Sequence, residues 1–132
     1  MENEIVEKPD YVEELVNLIR SGESDEGISE KIDNYHDNDI ASALDELNEK
    51  ERKKLYQILG VERMSEIFAY VDDVGKYLEE IELEKAADII ENMDADDAVD
   101  VLEEVDETKR KQLIELMDEE SKEDIKLIFS YE

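Results

Sequence analysis

The chain has 132 residues, of which 40% are hydrophobic and 43% are charged, and its formal net charge is −27. The acid excess makes nucleic acid and anionic membrane surfaces poor partners, because binding either one requires cations on the protein. The chain has no cysteine, which excludes disulfides and thiolate metal sites.

The composition favours helices over strands. There are only one Pro and four Gly, and Glu, Lys, Leu and Ile are abundant, as is typical of an all-α fold. No apolar run is long enough to span a bilayer, and residues 1–10 are too acidic for a signal peptide. We therefore expect a cytoplasmic protein that makes no direct membrane contact.

Residues 1–35 form a leading segment with a loose pattern. Apolar residues at helical spacing predict a first helix over about 9–20, and the run "SGESDEG" (21–27) is typical of a loop. A second short helix is predicted around Ile28, Ile32 and Tyr35. No composition change marks a domain boundary, so residues 1–132 are predicted to form a single domain.

Residues 36–132 carry a twelve-residue repeat. Its marker is an apolar residue that recurs at intervals of 12, except for one interval of 10; the markers are Leu47, Leu59, Val71, Ile81, Met93, Val105, Met117 and Phe129. Seven, four and three residues before each marker the side chains are mostly apolar, which is one face of a short amphipathic helix. Helices of about nine residues are unstable alone, so about ten short helices should stack into a small superhelix.

The turns between repeats carry residues that favour helix starts. Asp94, Asp106 and Asp118 share one register with Asn48, and each is predicted to be an N-cap; Gly60 occupies the same register and relaxes its turn. His36, the only histidine, lies at a turn and is assigned a structural role. The basic runs 50–54 and 109–111, which put an arginine at an apolar position of the repeat, are interpreted as solvated faces with local ion pairs.

Catalytic motifs are missing from the sequence. There is no Gly-rich phosphate loop and no nucleophile elbow, and one histidine without cysteine excludes the usual zinc sites. The acids fall on the outer faces of the predicted helices, where burial cannot shift their pKa values for acid–base work. We therefore predict that the protein is not an enzyme.

The acidic run "MDADDAVDVLEEV" (93–105) is the candidate metal site. It is not an EF-hand, because positions 5, 6 and 12 counted from Asp94 are all apolar. In a helix, Asp96 and Asp100 lie one turn apart on the outer face with Asp97 beside them, and Mg²⁺ needs only one or two carboxylates because it keeps several waters. The pairs Glu84–Asp88 and Glu120–Asp124 repeat this spacing, so a merely solvated acidic face remains the alternative.

Three segments resemble a known family when taken in order: "YHDNDIASALDEL" (35–47), "MDADDAVDVLEEV" (93–105) and "LIFSYE" (127–132). They are similar to the cytosolic N-terminal domain of MgtE-type magnesium transporters. The resemblance implies a right-handed superhelix that senses intracellular Mg²⁺ and gates a homodimeric channel. It also implies that Mg²⁺ bridges this acidic surface to the CBS domains of the same transporter chain, with Asp96, Asp97 and Asp100 as metal residues and Asp96 and Asp100 as the main ligands.

The resemblance also implies that CBS and transmembrane regions are absent from these 132 residues. Half of each interdomain site would then be missing, so we expect the isolated domain to be monomeric and to bind Mg²⁺ only weakly. The competing hypothesis is an acidic helical-repeat interaction scaffold, similar to flagellar motor-switch proteins, that docks a basic partner and has no metal role.

Overall fold

A computed structural model describes residues 10–130, which form nine α-helices and no strand within that range. Residues 1–9 and the Tyr131–Glu132 end of the third motif lie outside the described residues. The helices, in chain order, are α1 (Tyr11–Arg20), α2 (Asp25–Ile32), α3 (Asp37–Leu44), α4 (Glu49–Phe68), α5 (Val74–Leu78), α6 (Leu83–Glu91), α7 (Ala95–Glu104), α8 (Glu107–Glu115) and α9 (Glu119–Ser130).

Helix α4 is two helices in one continuous run. Gly60 interrupts it with φ 79° and ψ 167°, a conformation that is essentially restricted to glycine. The described chain thus contains ten helical segments, and the predicted all-α fold of about ten short helices is confirmed. From α6 onward the helices begin at residues 83, 95, 107 and 119, which is the predicted interval of twelve, while the interval of 10 coincides with the five-residue helix α5.

Most helices pack against the next helix but one. Such contacts join α1 to α3, α2 to α4, α4 to α6, α5 to α7, α6 to α8 and α7 to α9. The buried apolar residues form one continuous core from Leu15 to Ile125, as expected for short helices that bury their stripes against neighbours. This is the stacked arrangement that the repeat predicts; its right-handedness stays a prediction.

The predicted caps are confirmed at three of four positions. Asn48 and Glu51 form a reciprocal capping box, and Asp106 and Asp118 each accept a hydrogen bond of 2.8 Å from the backbone N–H three residues ahead. Asp94 lies at the N-cap position of α7, but its side chain accepts no capping hydrogen bond, so this part of the prediction was wrong. Its carboxylate lines an open cleft instead. His36 likewise precedes α3 without a side-chain cap.

The predicted loop over 21–27 is too long. Helix α2 already begins at Asp25, and Ser24 is its N-cap, accepting a 3.1 Å hydrogen bond from the Gly27 N–H. The first turn of this helix contains Asp25 and Glu26, which favour a helix N-terminus electrostatically. Polar residues of a first turn have the same composition as a loop, which explains the error.

The two arginines at apolar repeat positions are not on solvated faces, which corrects that interpretation of the basic runs. Arg52 donates to the carbonyls of Leu44 (3.4 Å) and Leu47, and Arg110 donates to those of Leu102 (3.0 Å) and Val105 (3.5 Å). In both cases the acceptors lie eight and five residues before the arginine. Each guanidinium therefore satisfies free carbonyls at the end of the preceding helix.

Local ion pairs, which the sequence also predicted for the basic runs, are present at two lysines. Lys53 lies 3.0 Å from Glu49, and Lys111 lies 3.4 Å from Glu107, each pair one helical turn apart. These side chains are more than half exposed, so the pairs contribute little to stability.

Candidate metal-binding surface

Helix α7 divides the three predicted metal residues between two surfaces. Its buried face contains Ala98, Val99, Val101 and Leu102. Asp96 and Asp100 are exposed on the opposite side, whereas Asp97 is half-buried. We call the exposed pair Asp96–Asp100 the α7 ridge. The two carboxylates are one turn apart on one helix, as the spacing predicts, but Asp97 does not belong to this ridge.

Asp97 lines an open cleft of about 360 Å³. The cleft lies between the start of α7 and the residues at the start of α3 and the end of α4. Three further carboxylates, those of Asp37, Glu66 and Asp94, share its lining with the ring of Tyr70. The structure thus places Asp97 at a cleft lined by other acids, which Asp96 and Asp100 do not line.

One carboxylate of the cleft is already neutralised by the chain itself. Arg63 Nε donates to Asp37 Oδ1 at 2.8 Å, and its other nitrogens reach Asp33 Oδ1 and the Tyr35 carbonyl oxygen, each at 3.1 Å. Within residues 10–130, no basic side chain forms an ion pair with Glu66, Asp94 or Asp97. The cleft therefore retains an excess of negative charge.

The arrangement suits a hydrated cation better than a closed metal cage. In the part of the chain that the structure describes, no three or more His, Cys, Asp or Glu side chains are placed to hold one metal ion. The α7 ridge offers two carboxylates to open solvent, and Mg²⁺ keeps several waters and is held by one or two carboxylates. The ridge residues thus have the ligand chemistry that Mg²⁺ prefers, but do not by themselves form a complete ligand set.

A partly buried polar cluster was missed by the sequence analysis. Arg52 and Tyr56 of α4 meet Glu80, just after α5: Arg52 Nε lies 3.0 Å from both Glu80 carboxylate oxygens, and the Tyr56 hydroxyl donates to Oε2 at 3.0 Å. Beside them, the Tyr77 hydroxyl donates to Asp45. We call these five residues the Arg52 cluster. The sequence indicated this cluster only through the arginine at an apolar repeat position. The partner that Arg52 and Tyr56 share, Glu80, is more than twenty residues away in sequence, so helical spacing could not connect them.

Ionisation in the cluster follows from these contacts. The Glu80 carboxylate raises the pKa of Arg52 through their hydrogen bonds. Burial, followed by the hydrogen bond to Asp45, raises the pKa of Tyr77 to about 12, and burial also raises that of Tyr56. The hydrogen bond from Tyr77, with a second from Lys76, lowers the pKa of Asp45. At neutral pH the cluster therefore contains a charged Arg52, an ionised Asp45 and two neutral tyrosines.

Comparison with known proteins gives one family. A sequence model described as the MgtE intracellular N domain matches residues 35–132. No curated protein matches the chain in sequence. Among helices of residues 10–130, none combines the length and the apolar character needed to cross a bilayer.

A solved structure has the same fold. It is the crystal structure of the soluble part of a magnesium transporter, with a TM-score of 0.83 and 24% sequence identity. The match covers 93% of this chain and 49% of that one, so the present chain spans about half the length of the transporter fragment.

Proposed function

Because the chain belongs to the MgtE intracellular N domain family, we propose that it is the Mg²⁺-sensing regulatory domain of a magnesium transporter, placed on the cytosolic side of the membrane. In this proposal Mg²⁺ joins the acidic surface of the domain to CBS domains of the same polypeptide within a homodimeric transporter. The observation that carries the proposal is the α7 ridge, an exposed carboxylate pair with room for a second surface to complete its ligand set.

Charge supplies the switching force. A domain with a net charge of −27 repels other acidic surfaces, and a divalent cation between two carboxylate groups turns this repulsion into attraction. High Mg²⁺ thus holds the cytosolic parts together and keeps the pore closed. Loss of Mg²⁺ lets the surfaces separate. The Asp97 cleft, whose other carboxylates besides Asp37 form no ion pair among residues 10–130, adds a second region where the acids respond to cations.

The first test is a Mg²⁺ titration of the 132-residue chain followed by backbone amide chemical shifts in 0.15 M salt, with the variant Asp96→Asn/Asp100→Asn. The control variant is Glu84→Gln/Asp88→Asn, which removes the same two charges at the same spacing from exposed positions of α6. We expect weak, saturable shifts in α7 that the first variant abolishes and the control retains. Equal losses in both variants mean diffuse counterion binding and contradict the proposal.

The second test uses the domain joined to the CBS domains of its transporter. We expect protease resistance to rise with millimolar Mg²⁺ in the parent and in Glu84→Ala/Asp88→Ala, but not in Asp96→Ala/Asp100→Ala. If the three proteins behave alike, the ridge is not part of the site. The reading frame after residue 132 is a direct check, since CBS domains and apolar spans support the transporter and a stop codon favours the interaction scaffold.

A further inference from the structure

Helix α5 is the thinnest layer of the stack. It has five residues, and its close packing against another helix is with α7. Side-chain contacts link it to Asp45, after α3, and to Phe68 of α4, and the break at Gly60 lies within helix α4. In a stack of repeats each layer is held by its neighbours. Across this thin layer α4 also packs directly against α6, and the remaining contacts between the N-terminal and C-terminal helices depend on side chains around α5.

A partly buried ion pair crosses this layer. The side chains of Arg52 and Glu80 are only 16% and 9% exposed, and the guanidinium meets the carboxylate through two of its nitrogens. The same guanidinium reaches the Leu47 carbonyl after α3 and lies 5.3 Å from the centre of the Tyr77 ring in α5. One side chain therefore contacts the end of α3, the ring of α5 and the turn after α5.

A second set of contacts runs in parallel. Lys76 Nζ lies 3.1 Å from Asp45 Oδ1, which also accepts the Tyr77 hydroxyl. The Tyr77 ring stacks on Phe68 at 6.4 Å between centroids with an interplanar angle of 16°. Helix α5 is thus tied to the turn after α3 and to both halves of α4 by side chains.

We propose that the Arg52 cluster is a conformational clamp that joins the block α1–α4 to the block α5–α9 and makes them unfold and move as one body. The clamp adds to the packing of α4 against α6, and it supplies side-chain contacts on the side of α5 that does not pack against α7. Removing Arg52 leaves the Glu80 carboxylate, which has little contact with water, without its cation, and an unpaired charge in such a site is unfavourable. This penalty is released when the layer opens and water reaches Glu80, so loss of the arginine favours separation of the blocks.

Hydrogen exchange measured through a urea series tests the clamp in Arg52→Met. In the parent, buried amides of α3 and α7 should lose protection at the same urea concentration. In Arg52→Met they should lose it at different concentrations, and amides of residues 78–81 should exchange at least ~10-fold faster in water. The matched control is Arg20→Met, because Arg20 also contacts a glutamate, Glu51, and a backbone carbonyl, yet its side chain is 48% exposed.

Arg20→Met should behave like the parent at α5. The clamp is ruled out if α3 and α7 lose protection together in Arg52→Met, whether at the parent's urea concentration or at a lower one. If Arg52→Met does not fold, Glu80→Gln provides the same readout, because it keeps the shape and a hydrogen-bond acceptor while removing the charge. Loss of protection at one common urea concentration in Glu80→Gln overturns the proposal equally.

Discussion

Gly60 allows a direct test of how backbone conformation shapes the stack. Its φ of 79° and ψ of 167° lie in a region that residues with a Cβ rarely enter, and occupying it costs about 1–3 kcal/mol. A Cβ built at Gly60 has no atom within 4 Å, so Gly60→Ala adds backbone strain without a steric clash. We expect Gly60→Ala to lower the free energy of unfolding by about 1–3 kcal/mol.

Urea unfolding followed by far-UV circular dichroism measures this loss. The comparison variant is Gly22→Ala, since Gly22 has a φ of 83° and its added Cβ also has no neighbour within 4 Å. Gly22 lies in the turn after α1, where the chain can relax, so its loss should be the smaller, about 1 kcal/mol. A loss below about 0.5 kcal/mol in Gly60→Ala, with an unchanged urea slope, would refute the reasoning, because the break within α4 would then not need the glycine conformation.

Three further predictions follow from charge and capping. Raising NaCl from 10 to 200 mM should raise the melting temperature of a chain with net charge −27, because the screening length falls from about 30 Å to below about 10 Å; an unchanged or lower value would contradict the importance of self-repulsion. Asp106→Ala should lower the free energy of unfolding by about 1 kcal/mol, because the helix loses its N-cap hydrogen bond. Asp94→Ala removes no capping hydrogen bond and should leave the free energy of unfolding nearly unchanged. Similar losses for both variants in urea unfolding would contradict this difference between the two caps. Folding lowers the pKa of Asp45, so ionised Asp45 stabilises the folded chain above pH 3.8, the ordinary pKa of an aspartate. This stabilisation is lost as the pH falls through the lower pKa of the folded state. Parallel acid-unfolding curves of the parent and Asp45→Asn between pH 5 and pH 2 would exclude this contribution.

Much of the fold can be predicted because it is local. The spacing of apolar residues determines which face of each short helix is buried, and the capping residues determine where most helices begin. Prediction failed where two structures share one composition: Asp25 and Glu26 suit a loop and a first helical turn equally. The start of α2 depends on Ser24 accepting a bond from Gly27, which composition does not reveal.

The candidate site could be predicted only in part, for a different reason. The helical spacing correctly put Asp96 and Asp100 on one exposed face. The environment of Asp97 depends on Glu66 and Asp37, which are distant in sequence and reach the cleft through the packing of α3 and α4. The same holds for Arg52 and Glu80, which are 28 residues apart. Periodicity describes one helix at a time, so it cannot show which side chains meet between helices.

The paired arginines at apolar positions affect how such repeats are detected. A search that scores hydrophobic periodicity counts Arg52 and Arg110 as defects, although each one closes the helix that ends five to eight residues earlier. A repeat profile that accepts either an apolar residue or arginine at this position would describe both kinds of unit. Lysine has no planar fork to reach two carbonyls at once. Arginine at this position is therefore expected to mark helix ends in related sequences whose apolar pattern alone is too weak to align.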